Sequence, residues 1–296
     1  MSVQITTAFV NQFHANVERA LQQKGSKLRS AVRNESQNGE YAYYEQIGSV
    51  EASEITTRHG DSPVVDTPHM RRRVGLAFYD VGDFVDEEDK VQLLIDPTSV
   101  YVQNFVDALG RKIDDTILAA ALGTAYTGKA GGTATSFDTS NMSLANDCSS
   151  SGTSTNLPVE KIIMAKQKLL ANFNEPGVEP WYLVIGTSQW ASLMANTKVQ
   201  SRDYAAVQAL VRGDIDALIG FNIIVSEKLT KVGNDRYALA FSRSALLLAM
   251  GKEIATNVAH RPDKRFNVYC YAKAGFGAVR MDEKKIVRIL CDETKV

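Results

Sequence analysis

The sequence has few cysteines, almost no net charge and no long apolar run, and each shortage excludes a class of protein. Its three cysteines are an odd number without metal-ligand spacing, which indicates free thiols in a reducing cytoplasm: Cys148, Cys270 and Cys291. A formal net charge of −1 gives no reason to expect tight binding to nucleic acid or to a membrane surface. No apolar run is long enough to span a bilayer, and the N-terminus lacks the basic and apolar regions of a signal peptide.

A catalytic or metal-binding constellation is missing as well. The four histidines show no metal-ligand spacing: His14, His59, His69 and His260. Residues 123–130 nearly match a phosphate-binding loop, but Ala130 stands where Ser or Thr must reach magnesium, so coincidence is the better interpretation. Residues 186–190 resemble a hydrolase nucleophile elbow, but Trp190 replaces the required glycine, so Ser188 is interpreted as a helix cap, like its neighbour Thr187. We therefore expect no enzyme activity, no cofactor and no metal site.

The most regular stretch predicts one long amphipathic helix over residues 97–122. Asp96 is a good N-cap, Pro97 suits the first helical position, and Gly123 is a natural stop. Apolar residues recur at helical spacing: Val102, Phe105, Val106, Leu109, Ile113, Ile117, Leu118 and Ala121. The opposite face is polar, with Asp107 and Asp115 each one turn from Arg111. A helix roughly 40 Å long spans a whole domain, so we expect other elements to lie across it or to attach at its ends.

The residues before this helix predict an arm and a ribbon. Residues 6–24 have the pattern of an amphipathic helix, and residues 25–40 are polar and are expected to form an irregular arm. Residues 41–85 alternate like strands near Tyr41–Ile47 and Val74–Tyr79, with a polar linker between them. A two-stranded ribbon buries no core of its own. It therefore folds back on its own domain or lies on another subunit, and its length and polarity favour the second.

The residues after the long helix predict a loop and then an alternating α/β pattern. Residues 123–156 are rich in small residues and are expected to form a loop with at most a short strand near Ser136–Phe137. The elements expected beyond it are helices at 159–173, 187–196 and 204–212 and strands at 181–185, 221–226, 237–241, 266–272, 277–281 and 285–291. The last two strands are predicted to pair as a hairpin across Asp282-Glu283.

A ribbon without a core, a domain-spanning helix and no evident reactive site suggest a protein that binds copies of itself. This order of elements resembles tailed-phage major capsid proteins of the Hong Kong 97 type. Three stretches are similar to the family's helix end, its glycine–aliphatic strand segment and its closing strands: TILAAALG (116–123), GDIDALIGFNIIVSEKL (213–229) and AGFGAVRMDEKKIVRIL (274–290). The resemblance implies an α+β fold with these parts: an N-arm at 1–40, an extended loop at 41–85, a peripheral domain at 86–156 and 256–296 that includes the spine helix, and an α/β axial domain at 157–255.

The resemblance also implies a function and partners. The chain is expected to be a coat protein that assembles in the host cytoplasm into hexamers and pentamers of an icosahedral virion head around double-stranded DNA. Expected partners are further copies of the chain, a separate scaffolding protein, a portal and a decoration protein, with non-specific contact to the packaged DNA and no membrane. Some members of the family crosslink through a lysine of the extended loop. This sequence has no lysine between Lys27 and Lys90, so we predict a non-covalent shell.

Candidate contacts between subunits are charged or aromatic residues of the arm and ribbon: Arg71, Arg72, Arg73, Glu51, Glu54, Asp66, Phe9 and Phe13. The three arginines are expected to meet acidic residues of an adjacent subunit. Two other interpretations stay open. An encapsulin-like compartment shell keeps the fold and changes the cargo, whereas a soluble α/β hydrolase or nucleotide-dependent enzyme is less favoured.

Overall fold

A computed structural model describes residues 22–52, 54, 64–85, 98–148, 152–172, 174–175, 177–195 and 217–295. Three α-helices lie in this part of the chain: α1 Thr98–Leu122, α2 Val159–Ala171 and α3 Thr187–Ala195. The helix predicted at 204–212, most of the one at 6–24, and the helix start at Asp96 and Pro97 lie outside the described residues. No helix within these ranges is both long and apolar enough to cross a membrane.

Strands make up most of the remaining regular structure in the described ranges. They are β1 Arg33–Ser36, β2 Tyr41–Ile47, β3 His69–Gly75, β4 Ala77–Val85, β5 Ala125–Thr127, β6 Thr133–Thr135, β7 Ser143–Leu144, β8 Trp181–Ile185, β9 Ala217–Leu218, β10 Phe221–Val225, β11 Lys231–Val232, β12 Asp235–Ser242, β13 Leu246–His260, β14 Val268–Arg280 and β15 Ile286–Asp292.

The chain divides into two compact units. The first holds the described residues of Met1–Ser26, Ala77–Ile113 and Gly251–Phe276, and the second holds those of Lys27–Leu76, Asp114–Met250 and Gly277–Val296. Helix α1 confirms the predicted long helix and contributes residues to both units. Its apolar stripe is buried at the predicted positions: Phe105, Leu109, Ile113, Ile117, Leu118 and Ala121. The N–H of Gly123 donates to the carbonyl of Ala119 at 2.8 Å, which marks the end of the helix.

In the first unit, β4 pairs antiparallel with β14, from Val85↔Val268 to Ala77↔Phe276. Aromatic rings pack on this pair, with ring centroids 4.8 Å apart for Tyr79 and Phe276. The predicted ribbon strand at 74–79 is therefore wrong in its bounds, because the chain changes partner at Leu76. The alternation of side chains continues through Leu76, and a period of two residues does not show which neighbouring strand a strand pairs with.

The second unit contains a seven-stranded sheet in the order β7–β15–β12–β8–β10–β9, with β11 paired to β12. Strand β15 pairs antiparallel with β12 and parallel with β7. The predicted hairpin of 277–281 with 285–291 is therefore wrong, because β14 and β15 belong to different sheets. Strand β15 buries Val287, Ile289 and Cys291 on one face, whereas on the other Ile286 is buried and residues 288, 290 and 292 are partly exposed.

The base of the ribbon packs on its own unit, contrary to the favoured expectation. Strands β2, β3, β5 and β6 form one sheet, and Val74 and Ala125 join a buried cluster with Leu247, Ala249, Val279 and Met281. The β2–β3 pair, called the hairpin below, is exposed beyond this base. The small-residue segment 123–156 also differs from the prediction, since it contains β5, β6 and β7 and buries Phe137, Met142 and Leu144.

Residues 25–40 are not the irregular arm that their polarity predicts. They contain a 3₁₀ turn at Arg29–Ala31 and strand β1, which pairs parallel with β13 from Arg33↔Leu247 to Ser36↔Met250. Leu28, Ala31 and Val32 are fully buried, so a few apolar residues within a polar stretch decide its position. Strand β15, assigned from sequence to the peripheral domain, lies in the sheet of β8 and β10, and the domain boundaries stay a prediction.

Candidate functional site

The three consecutive arginines lie on strand β3, where successive side chains point to opposite faces. Arg71 pairs in register with Glu45 and Arg73 with Tyr43 on the neighbouring strand β2. Arg72 therefore faces the other side of the sheet, which covers the buried cluster around Val74. The sequence predicted one charged cluster, but the strand divides it between an exposed face and a buried one.

Arg72 is only 4% exposed and is bound within its own chain. Its Nε donates to the carbonyl of Met281 at 3.0 Å, and its Nη2 donates to the two carboxylate oxygens of Glu283 at 2.9 and 2.7 Å. A buried ion pair of this kind needs both partners, because removing one leaves an uncompensated charge in a poorly solvated place. The guanidinium thus anchors the hairpin to the segment that follows β14.

The same carboxylate also serves Arg280, which is fully buried. Arg280 Nη1 donates to the carbonyls of Ala121 and Gly123 at 3.0 and 2.6 Å, and its Nε lies 3.3 Å from Glu283. These carbonyls belong to the C-terminal end of α1, where a cation satisfies unpaired acceptors and opposes the negative end of the helix dipole. Burial lowers the pKa of Arg280, although the Glu283 carboxylate opposes that shift.

The exposed face of the hairpin carries tyrosines and the other two arginines. Arg71 forms an ion pair with Glu45, and the guanidinium of Arg73 lies 4.9 Å from the ring centroids of both Tyr41 and Tyr126. Such cation–π contacts at exposed sites contribute about 0.5–1 kcal/mol each. This face is therefore organised before any partner binds.

The other predicted contact residues are not brought together with the arginines. Glu51, Glu54 and Asp66 are exposed and pair with no described residue, whereas Phe9 and Phe13 lie outside the described residues. The described flanks of the linker also expose apolar side chains, among them Ile47 at 70% and Val64 at 92%. That these residues make contacts between subunits stays a prediction.

Two acidic residues of α1 have a role that the sequence did not indicate. Asp107 accepts the backbone N–H of Gly25 at 2.9 Å, and Asp114 accepts those of Lys27 and Leu28 at 3.1 Å each. Both carboxylates are buried, although helical spacing placed them on the polar face. Their separation of seven residues, two helical turns, is the one sequence signal for a shared surface.

A buried lysine is a further feature that sequence reasoning missed. Lys161 is fully buried on α2, and its Nζ donates to the carbonyls of Thr155, Asn156 and Leu290 at 2.8, 3.0 and 2.8 Å. Burial lowers the pKa of Lys161. The ammonium thus joins the loop before α2 to strand β15, a structural role that needs no substrate.

The residues of the two enzyme-like motifs have structural roles that need no catalytic activity. Ser188 Oγ accepts from Asn156 Nδ2 at 3.0 Å, and His260 Nδ1 lies 3.1 Å from the carbonyl of its near neighbour Phe266. The N–H of Thr187 donates to the carboxylate of Glu227, so this carboxylate, rather than the predicted Thr187 or Ser188, caps α3.

Residues 123–130 form β5 and the start of its turn, and strand β6 follows instead of a helix. Across the described ranges, no three His, Cys, Asp or Glu residues are grouped to hold a metal.

Comparison with known proteins gives one consistent family. A family model described as phage capsid protein matches residues 5–293. The capsid structure of cyanophage P-SCSP1u is similar with a TM-score of 0.74 at 14% identity, covering 96% of this chain and 93% of that one. A chain of Mycobacterium phage Che8 gives 0.71 at 15% identity with 97% of both chains covered. The capsid of Ralstonia phage GP4 gives 0.73 at 11% identity, covering 95% and 94%. No curated protein matches the chain.

The structural likeness at these low identities shows the fold, and the family match over nearly the whole sequence shows membership. The predicted resemblance is thereby confirmed, and the hydrolase and nucleotide-dependent interpretations are wrong. The chain belongs to the phage capsid protein family, has an α+β fold of the Hong Kong 97 type, and is a structural major capsid protein of the virion shell rather than an enzyme.

Proposed function

We propose that the chain assembles, in the host cytoplasm, into hexamers and pentamers of an icosahedral head that encloses double-stranded DNA. A closed symmetric arrangement limits growth to a shell of fixed size. Contacts that are individually weak suffice, because a subunit held by several neighbours binds with the effective concentration of an intramolecular partner. The family membership and the capsid structures above support this proposal.

The exposed part of the hairpin, with the described flanks of its linker, is the observation that carries the proposal. Ile47, Val50, Val64, Val65 and Met70 each expose at least half of their surface. Several large apolar side chains exposed on one segment usually mark an interaction surface. A neighbouring copy in a shell covers such a surface, whereas a monomer leaves it in water.

Candidate contacts between copies follow from the charged and aromatic residues of this region. We assign them to the exposed Arg71, Arg73, Glu51, Glu54 and Asp66. Arg72 contributes from within the base, where it already pairs with its own chain's carboxylate. Phe9 and Phe13 are the proposed apolar contacts of the N-terminal segment.

Further partners are proposed from the same comparison with the family. A separate scaffolding protein, a portal and a decoration protein are expected to act with the shell, and packaged DNA is expected to touch it without sequence specificity. The net charge of −1 supports weak contact with DNA, because tight binding to phosphates requires clustered lysine and arginine.

Electron microscopy and size-exclusion chromatography of the purified protein test the proposal. We expect rings or megadalton shells with five- and six-fold units, and nuclease-protected double-stranded DNA in particles from infected cells. A stable monomer or small oligomer under all assembly conditions contradicts it. Particles that hold a cargo protein and no DNA support an encapsulin-like compartment instead.

A further inference from the structure

A cleft of about 720 Å³ opens at the base of the hairpin. Strand β3 lines one side with His69, Met70, Arg71 and Arg72, and the turn after β5 lines the other with residues 127–129. Strand β5 pairs with β3 only at Arg72↔Thr127 and Arg73↔Tyr126. The edge of residues 69–71 on this side therefore has no strand partner within the described ranges, and an extended segment has room to lie beside it.

The charges around the cleft do not balance. Glu45 pairs with Arg71, and Glu283 is shared between Arg72 and Arg280. Two carboxylates thus serve three guanidiniums, of which those of Arg71 and Arg72 line the cleft. The ammonium of Lys129 adds a fourth positive charge, and no described residue pairs with it. The cleft therefore attracts an anion.

One donor inside the cleft wall lacks an acceptor. Arg72 is 4% exposed, and its Nη1 makes no hydrogen bond, although its Nε and Nη2 are both satisfied. A buried polar group without a partner destabilises the fold, and more so when the group is charged. Eight buried side-chain nitrogen or oxygen atoms of the described residues lack a partner, and Arg72 Nη1 is the one whose residue lines this cleft. Buried polar groups usually have a partner, so this Nη1 is available to an acceptor bound in the cleft.

The surroundings of the cleft favour a protein as the source of that anion. Met70 lines the cleft and is 53% exposed, and Ile47 of the adjacent strand is also exposed. Apolar side chains beside cations suit a peptide with a carboxylate better than a phosphate backbone. The described flanks of the linker between β2 and β3 expose Glu51, Glu54 and Asp66, which pair with no described residue, so every further copy of this chain offers the required carboxylates.

We infer that this cleft is a carboxylate-binding site for a second copy of the chain. A Glu or Asp side chain of the neighbouring copy accepts from Arg72 Nη1 and pairs with Lys129, while its flanking residues cover Met70. This inference rests on the proposed function, because only an assembled shell holds a second copy at the cleft. It adds a defined ligand and a defined socket to the general expectation that the arginines meet acidic residues.

Cryo-electron microscopy of the assembled wild-type shell tests the site directly. We expect a carboxylate of a neighbouring copy within 4 Å of Arg72 Nη1 or Lys129 Nζ. Shells whose clefts hold only solvent, DNA or a different protein overturn the inference and leave the proposed function standing. Failure to form shells under all assembly conditions overturns the proposed function and this inference with it.

A pair of charge reversals provides a second test. Lys129→Glu places a negative charge in the cleft, and Lys264→Glu makes the same change at an exposed lysine that does not line it. Circular dichroism first checks that both variants are folded. In sedimentation, we then expect the assembled fraction of Lys129→Glu to be at least tenfold lower than that of Lys264→Glu. Equal assembly of the two variants overturns the inference.

Discussion

At the scale of single residues, one carboxylate decides the stability of the hairpin base. Glu283 neutralises Arg72 from strand β3 and Arg280 from strand β14, and both guanidiniums are buried. The sequence assigned Arg72 to a contact with an adjacent subunit, and it did not single out Arg280. Sequence gives the identity of the charges, whereas the pairing of Arg72 with Glu283 across 211 positions of the chain depends on the fold.

Replacing Glu283 by Gln is expected to destabilise the subunit by roughly 3 kcal/mol, because two buried cations lose their counter-ion at once. Urea unfolding of the unassembled protein measures this change. The matched control is Glu35→Gln, which breaks an exposed pair with Arg33 and is expected to cost less than about 1 kcal/mol. Equal effects in the two variants contradict the role assigned to Glu283.

Asp292 predicts a dependence of stability on pH. Hydrogen bonds from the hydroxyls of Thr294 and Ser154 lower the pKa of Asp292 to about 2, from 3.8. A carboxyl whose pKa is lower in the folded state stabilises the fold above pH 3.8, and this contribution is lost as the pH falls to about 2. We expect Asp292→Asn to be less stable than wild type at pH 7, and the difference in unfolding free energy to vanish near pH 2. A difference that is independent of pH contradicts the prediction.

At the scale of elements, close backbone contacts fix where the neighbours of α1 lie. A Cβ on Gly110 would come 2.6 Å from the carbonyl carbon of Gly25, in the segment whose N–H groups bind Asp107. Gly110→Ala gains about 1 kcal/mol of helix propensity, yet we expect net destabilisation and faster hydrogen exchange at Gly25. Thermal unfolding and exchange measure both. A rise in stability shows that residues 22–26 do not pack at this position.

The turn between β5 and β6 provides a second test at this scale. Gly131 has φ +64°, and a Cβ there would lie 2.6 Å from Cδ of Arg73. We expect Gly131→Ala to cost at least about 1–2 kcal/mol from the left-handed backbone alone. The neighbouring Gly132 has open space around it, so Gly132→Ala is the matched control and should be nearly neutral in thermal unfolding. A neutral Gly131→Ala contradicts the strained turn.

Elements with a strong local period could be predicted, and those that depend on distant partners could not. Helix α1 has an apolar stripe from Val102 to Ala121, and the predicted end at residue 122 coincides with Leu122. Strand β13 was missed because its residues carry no alternation. The partner switch at Leu76 and the pairing of β15 with β12 are tertiary choices that leave no mark on local spacing. Of the site, sequence indicated the arginines but not Glu283, Arg280 or Asp114.

At the scale of the whole molecule, family membership makes the shell the relevant structure. The absence of lysine between Lys27 and Lys90 predicts that mature particles hold together without covalent bonds from the hairpin. Denaturing mass spectrometry of mature particles is expected to show single chains of 32.5 kDa. A ladder of linked subunits with crosslinks in residues 41–85 contradicts the prediction, and heat-denatured monomeric protein is the control for artefactual crosslinks.

The shared Glu283 also has a mechanical consequence. Strand β3 is tied through Arg72 to the residues that follow β14, and through Arg280 to the last turn of α1. The base of the hairpin is therefore fixed, because twisting the hairpin there would break the Arg72–Glu283 and Arg280–Glu283 ion pairs together. Any swing that accommodates neighbours must therefore take place beyond Arg72, in the part of the hairpin that ends at the backbone hydrogen bond from Gly48 to Pro68.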